Sequence, residues 1–216
     1  MRNKNRKKLY GAVGLLLAFL LWTTALCALD VQPIGPMGSG VGFAAMNGWF
    51  HALTGVHMSL YVLTDWLSLI PLGFVMGFAL LGLGQWVQRK RLLKVDRSIL
   101  ILGGFYAVVM AAFLFFEKCV VNFRPVLIEG TLEASYPSST TMLVMCVMPT
   151  AIMQIKERVE NRRIRKFAVW GMRAFTVFMV IGRLLSGVHW LSDIIGGALL
   201  SAGLVLLYDV FSDYVR

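Results

Sequence analysis

The sequence predicts an all-α polytopic membrane protein with six transmembrane helices in one bundle, and three observations predict it. Hydrophobic residues fill 58% of the 216 positions, and the mean hydropathy is +0.72. The apolar residues fall in repeated runs near the roughly 20 residues that a helix needs to cross a bilayer. Between the runs, the basic residues stand in short blocks, which read as cytoplasmic loops. A soluble core of this size has no use for so many long uncharged runs, which excludes a soluble globular domain. The formal charge of +10 is therefore a topology signal, and no nucleic-acid partner is expected. Cys27, Cys119 and Cys146 are odd in number and far apart, so they support neither a disulfide framework nor a zinc site. No repeat, low-complexity tract or linker divides the chain, so residues 1–216 form one domain.

The first run, about residues 9–29, follows Arg2, Lys4, Arg6, Lys7 and Lys8 and is read as a transmembrane helix. Its length exceeds the apolar part of a secretory signal, the other reading of such a start. Residues 30–65 mix Pro33, Pro36, glycines, aromatics, His51 and His57, which predicts an interfacial helix or lid on the outer surface. A second span is expected at about 66–87, where Gly73 and Gly77 have the spacing of a close helix contact. Arg89, Lys90, Arg91, Lys94 and Arg97 then mark the cytoplasm. A third span at about 99–116 leads to an outer loop with Arg124-Pro125, and a fourth at about 141–155 opens on Pro137-Ser138-Ser139-Thr140. Pro137 and the serines suit a helix start, whose free N–H groups cradle an anion. The block from Lys156 to Lys166 is the strongest cytoplasmic marker. The fifth span, about 167–185, carries Arg173, expected to snorkel or to pair inside the bundle. The sixth, about 190–211, carries Gly196 and Gly197, expected to allow close packing.

Between the fifth and sixth runs stands Gly182-Arg183-Leu-Leu-Ser-Gly-Val-His189-Trp-Leu-Ser-Asp193. An ionisable residue at a membrane span costs about 2.5–3.5 kcal/mol or more and needs a reason. His189 and Asp193 are four apart, so on one helical face the carboxylate holds one ring nitrogen and frees the other. Arg183 adds a planar fork of donors suited to phosphate. A lone histidine of this kind would be read as an interface residue beside a helix cap. The trio reverses that reading.

The arginine, the histidine six residues on and the aspartate four beyond resemble the third signature of the type 2 phosphatidic acid phosphatase family of membrane lipid phosphatases. Gly182 stands for the usual serine and Leu191 for a frequent proline. Lys118 with Arg124-Pro125 resembles the first signature, with Lys118 one residue closer than usual and Glu117 at the family's spacing. Pro137-Ser138-Ser139-Thr140 resembles the second, with Thr140 where the family has a histidine. The resemblance implies that His189 is a nucleophile phosphorylated transiently, that Asp193 orients it, and that Arg124, Arg183, Ser138, Ser139 and Lys118 bind the phosphoryl group. It also implies that the residue missing at Thr140 would protonate the departing lipid oxygen.

With a cytoplasmic amino terminus, alternating spans bring the three signatures to one outer face, with both termini inside. Lys118, Arg124 and Arg183 are the basic residues assigned to that face, against the positive-inside trend, and are read as kept for an anion. The expected activity is hydrolysis of a lipid phosphate or isoprenoid diphosphate, slowed on monoesters by Thr140, with no cofactor and no metal. His51 or His57 is the other source of a proton. A non-catalytic lipid-phosphate binder or transporter is the alternative from another class, and an engineered inactive variant a third. A bacterial plasma membrane fits the polarity, as does an endoplasmic-reticulum membrane with a lumenal site.

Overall fold

A computed structural model describes the backbone of residues 2–215 and the side chains of residues 5–214. The described residues form eight α-helices and no sheet: α1 (Arg2–Ala28), α2 (Ala44–Thr54), α3 (Met58–Leu67), α4 (Leu69–Arg89), α5 (Arg97–Lys118), α6 (Ser139–Arg158), α7 (Arg162–Leu185) and α8 (Leu191–Val215). Among them, five stretches are long and apolar enough to cross a membrane: Asn5–Ala28, Met58–Arg89, Arg97–Lys118, Arg162–Leu185 and Leu191–Tyr214. The all-helical, multi-pass membrane architecture is as expected.

The expected fourth span, α6, is not among these five, and its surroundings explain why. It packs against α4, α5, α7 and α8, which screen it from lipid and remove the need for an apolar surface all round. Thr141, Thr150 and Gln154 are fully buried there. Thr150 Oγ1 donates to the Cys146 carbonyl at 2.8 Å and Gln154 Nε2 to the Tyr208 hydroxyl at 2.8 Å. Three apolar clusters meet on this helix: Val144 and Met148 with Met172 and Met179, Met142 with Phe19 and Leu200, and Cys146 with Leu102 and Tyr208. Van der Waals fit against α6 holds these clusters together, because lipid supplies no hydrophobic drive between helices.

The second span begins at Met58, earlier than the expected residue 66. Residues 30–65 are not one lid: α2 is separate, while α3 runs into α4 with a break at Ser68. Pro71 explains the break, since its ring crowds the Leu67 carbonyl and offers it no N–H. A 32-residue stretch is roughly 48 Å long at 1.5 Å per residue, against about 30 Å of hydrocarbon, so one end stands outside the apolar layer.

Helix α1 lies antiparallel along α8. Near one end Lys8 reaches Asp209 and Asp213. Near the other, Trp22 Nε1 donates to the Ser192 carbonyl at 3.2 Å. Gly196 is required because a Cβ would overlap the Tyr136 ring, but a Cβ on Gly73 or Gly77 would meet nothing within 4 Å. That glycine pair therefore makes no helix contact in this chain. Arg173 lies exposed over the Trp170 ring, 6.0 Å from its centroid, rather than inside the bundle. The loop after α5, the start of α6 and the α7–α8 turn all meet at one end, covered by α2 and α3.

Candidate active site

The turn from Ser186 to Trp190 delivers His189. Gly187 has φ +70°, and a Cβ on it would overlap the Gly55 carbonyl, so both conformation and space demand glycine there. The turn is tied to the α2–α3 region, since His57 N donates to the Ser186 carbonyl at 2.9 Å and His51 Nε2 to the Gly187 carbonyl at 3.2 Å. The His57 ring bonds the Thr54 carbonyl. These two histidines thus serve carbonyls, and neither lines the cavities described below.

Asp193 lies in the first turn of α8, fully buried. Its Oδ2 accepts from Trp190 N at 2.9 Å and its Oδ1 from Asn122 Nδ2 at 3.4 Å. Oδ2 is also 3.6 Å from His189 Nδ1, longer than a hydrogen bond but facing the ring. On the far side of the ring, Arg124 Nη1 is 3.3 Å from Nε2. A guanidinium only donates, so this contact assigns the lone pair to Nε2 and the ring proton to Nδ1, toward Asp193. Burial pushes the His189 imidazole down to about 4; Asp193 opposes this, while Arg124 and Arg183 add to it. The ring is neutral at neutral pH, as a nitrogen nucleophile must be.

Arg124 is held in the loop between α5 and α6, whose two sides meet at a Phe123–Ala134 bridge. Its N–H donates to the Glu133 carbonyl at 3.0 Å. Glu133 Oε2 approaches Arg124 Nε at 2.9 Å but off the N–H direction, so Nε makes no hydrogen bond. Arg183, at the end of α7, is clasped by α3. It donates to Thr64 Oγ1 at 3.2 Å, the Tyr61 carbonyl at 3.3 Å and Asp65 Oδ1 at 3.4 Å, and stacks over the Tyr61 ring at 4.6 Å. The departure at Gly182 has the same origin: a Cβ there would come within 2.9 Å of the Thr64 methyl.

Two cavities open beside these groups. The smaller, about 50 Å³, is lined by His189, Arg124, Glu133, Glu117 and Ser139 among others. The larger, about 420 Å³, is lined at the same end by Arg124, Arg183, Asp65, Ser139 and Thr140. It then follows Leu72, Val75, Met110, Leu143 and Val147 down the bundle. From Ser139 to Val147 that is roughly 12 Å of helix, an apolar slot with a cationic mouth.

Arg124, Arg183, His189, Asp193, Ser139 and Thr140 are therefore gathered. Ser138 is turned away from both cavities: it caps α6, its Oγ accepting from Thr141 N at 3.4 Å and Thr141 Oγ1 at 3.1 Å. Its N–H goes to the Asp193 carbonyl at 3.1 Å. Lys118 is exposed at the end of α5 and lines neither cavity, whereas Glu117, one position earlier, lines the smaller one. Sequence reasoning missed Tyr61, Thr64 and Asp65, and also Asn47 and Asn122, whose amides bracket Ser192. A buried amide among apolar residues must find partners, and that was the one available signal. Among the described residues, no group of three or more His, Cys, Asp or Glu is placed to hold a metal ion.

A family model described as the PAP2 superfamily matches residues 104–215. The fold is similar to a crystal structure described as the first transmembrane PAP2 type phosphatidylglycerolphosphate phosphatase, from Bacillus subtilis. The TM-score is 0.59 at 19% identity, covering 96% of this chain and 98% of that one. No curated protein matches the sequence.

Proposed function

The chain belongs to the PAP2 superfamily, and from that premise we propose that it is a membrane lipid phosphatase working through a phosphohistidine on His189. The observation that carries this reading is the 3.3 Å approach of Arg124 Nη1 to His189 Nε2, which sets a phosphate-binding fork beside a neutral nucleophile. The phosphoryl group sits between Arg124 and Arg183, and Nε2 attacks phosphorus in line. The two guanidinium groups and the α6 start stabilise the charge that builds on the phosphoryl oxygens. As Nε2 gains a bond the ring becomes cationic, and Asp193 beyond Nδ1 stabilises it. The substrate is a phosphate or diphosphate lipid whose tail lies in the apolar slot. With α6 counted as a crossing beside the other five, the site faces the extracytoplasmic side and both termini face the cytoplasm.

A threonine hydroxyl is too weak an acid to protonate a leaving alkoxide at neutral pH, so Thr140 also favours a second reading, a lipid-phosphate binder without turnover. Release of inorganic phosphate in detergent from one monophosphate and one diphosphate lipid, measured beside binding of the same lipids, separates the two. Turnover is expected. Binding with no release from either lipid would replace the enzyme with a binder.

A further inference from the structure

We propose that Asp65 of α3 is the proton donor and acceptor of this site, doing the work for which position 140 has no imidazole; this rests on the phosphatase reading above. In-line transfer places the nucleophile on one side of phosphorus and the leaving oxygen on the other. The linings of the two cavities divide these roles. His189 lines the smaller and not the larger, Asp65 lines the larger and not the smaller, and Arg124 and Ser139 line both. The phosphoryl group belongs where the two meet, so the leaving oxygen, attached to the tail, faces the larger cavity. Among the described residues, Asp65 is the one carboxylate lining it. Thr140 lines it too, so the family's acid and this aspartate address the same space. Tyr106 lies deeper and is committed to Thr150 Oγ1 at 3.2 Å.

Asp65 is also within reach of the reacting group. Its Oδ1 lies 3.4 Å from Arg183 Nη2, one contact from the oxygens that this arginine binds. Its side chain is 58% exposed and opens to the larger cavity. Arg183 does not depend on it for placement, since Thr64 Oγ1, the Tyr61 carbonyl and the Tyr61 ring hold the guanidinium. Glu133 is on the nucleophile's side and faces no leaving group.

The cycle balances. A phosphate monoester, whose second proton is lost near pH 6, brings a proton that passes to the Asp65 carboxylate. His189 Nε2 forms the bond to phosphorus while the P–O bond to the lipid breaks, and Asp65 gives its proton to the departing oxygen. Water then attacks the phosphohistidine, Asp65 takes the proton from that water, the N–P bond breaks, and Asp65 returns the proton to the departing phosphate, so that neutral His189, the Asp65 carboxylate and dihydrogen phosphate result.

The test compares the full chain, Asp65→Asn, and Asp65→Asn with Thr140→His, in detergent, on a lipid monophosphate and on 4-nitrophenyl phosphate, whose leaving group departs without protonation. Asp65→Asn should lose about a hundredfold or more on the lipid, within the usual range for a positioned acid. It should still release a first equivalent of nitrophenolate rapidly and then stall, because the phosphohistidine lacks its base. Adding Thr140→His should restore lipid turnover by at least about tenfold. Equal losses on both substrates in the first turnover, or no restoration, would mean that Asp65 only holds Arg183 and would overturn the proposal. A starting protein that binds lipid phosphate but hydrolyses none would instead remove the phosphatase reading itself.

Discussion

At the end of the bundle where α1 begins and α8 finishes, Lys8 lies 2.6 Å from Asp209 and 2.7 Å from Asp213, while Asp96 takes both Arg89 and Arg158. At the opposite end, Arg124 meets Glu133 and Arg183 meets Asp65. In the first group both partners are partly exposed, to similar extents. In the second, the arginines are 10% and 2% exposed and their acids 41% and 58%. Exposed pairs contribute about 0–1 kcal/mol each. A guanidinium buried with its counter-ion left exposed is poorly compensated, a cost that the phosphate-binding role proposed above would offset. Asymmetry of burial, rather than the presence of an ion pair, sets the candidate site apart from the ion pairs at the other end.

The hardest test of that distinction is His189→Ala, which should cut phosphate release by at least about 10³-fold while the protein stays folded in detergent. Undiminished turnover would dissolve the site end as a site. The same residue leaves a thermodynamic trace. Folded His189 stays neutral down to about pH 4, whereas the unfolded side chain takes up a proton below about 6.5. Its contribution to stability is thus lost as pH falls from 6.5 toward 4. Thermal melts of wild type and His189→Asn should converge over that interval, and a gap independent of pH would contradict the burial.

Next in size, Arg124→Lys and Arg183→Lys should each weaken tungstate or vanadate binding by about tenfold or more, because a point charge does not reproduce a fork. Equal affinities would make the arginines anchors like those at the other end. A smaller effect of opposite sign is expected for Glu133→Gln, which removes a competitor for Arg124: anion affinity should rise by up to about fivefold. A fall would show that Glu133 positions the arginine.

Smallest of all is Asp96→Asn, expected to leave turnover within about twofold and stability within about 1 kcal/mol. Gln85 chiefly, with Arg89 and Arg158, holds the Asp96 carboxyl below its usual range. What it contributes is present above its unfolded value near 3.9 and lost as pH falls through the lower folded one. A large loss of activity in this variant would erase the contrast between the ends.

The candidate site is legible in the sequence where the signal is local. His189 and Asp193 announce themselves by a four-residue spacing, and Arg183 by standing at a span where charge is costly. The α3 contribution was not legible, because Tyr61, Thr64 and Asp65 meet Arg183 across 118 to 122 positions and share no motif with it. Ser138 caps α6 and lines neither cavity, and in a sequence a serine that binds an anion and one that caps a helix look alike. In the fold, α6 was legible as the fourth apolar run, but its enclosure by neighbouring helices rather than lipid was not. Pro71 was visible, but where α3 ends depends on its ring meeting the Leu67 carbonyl.

The Thr64 methyl against Gly182 bears on how such chains can be recombined. A signature loop is often treated as a portable module, yet here the position before Arg183 is small because a residue more than a hundred positions earlier fills its space. Grafting a serine-bearing third signature onto this chain would drive a Cβ to within 2.9 Å of that methyl, displacing α3 and the clasp on Arg183. A smaller side chain at position 64 would relieve that contact, so a graft of this loop has to be designed together with α3.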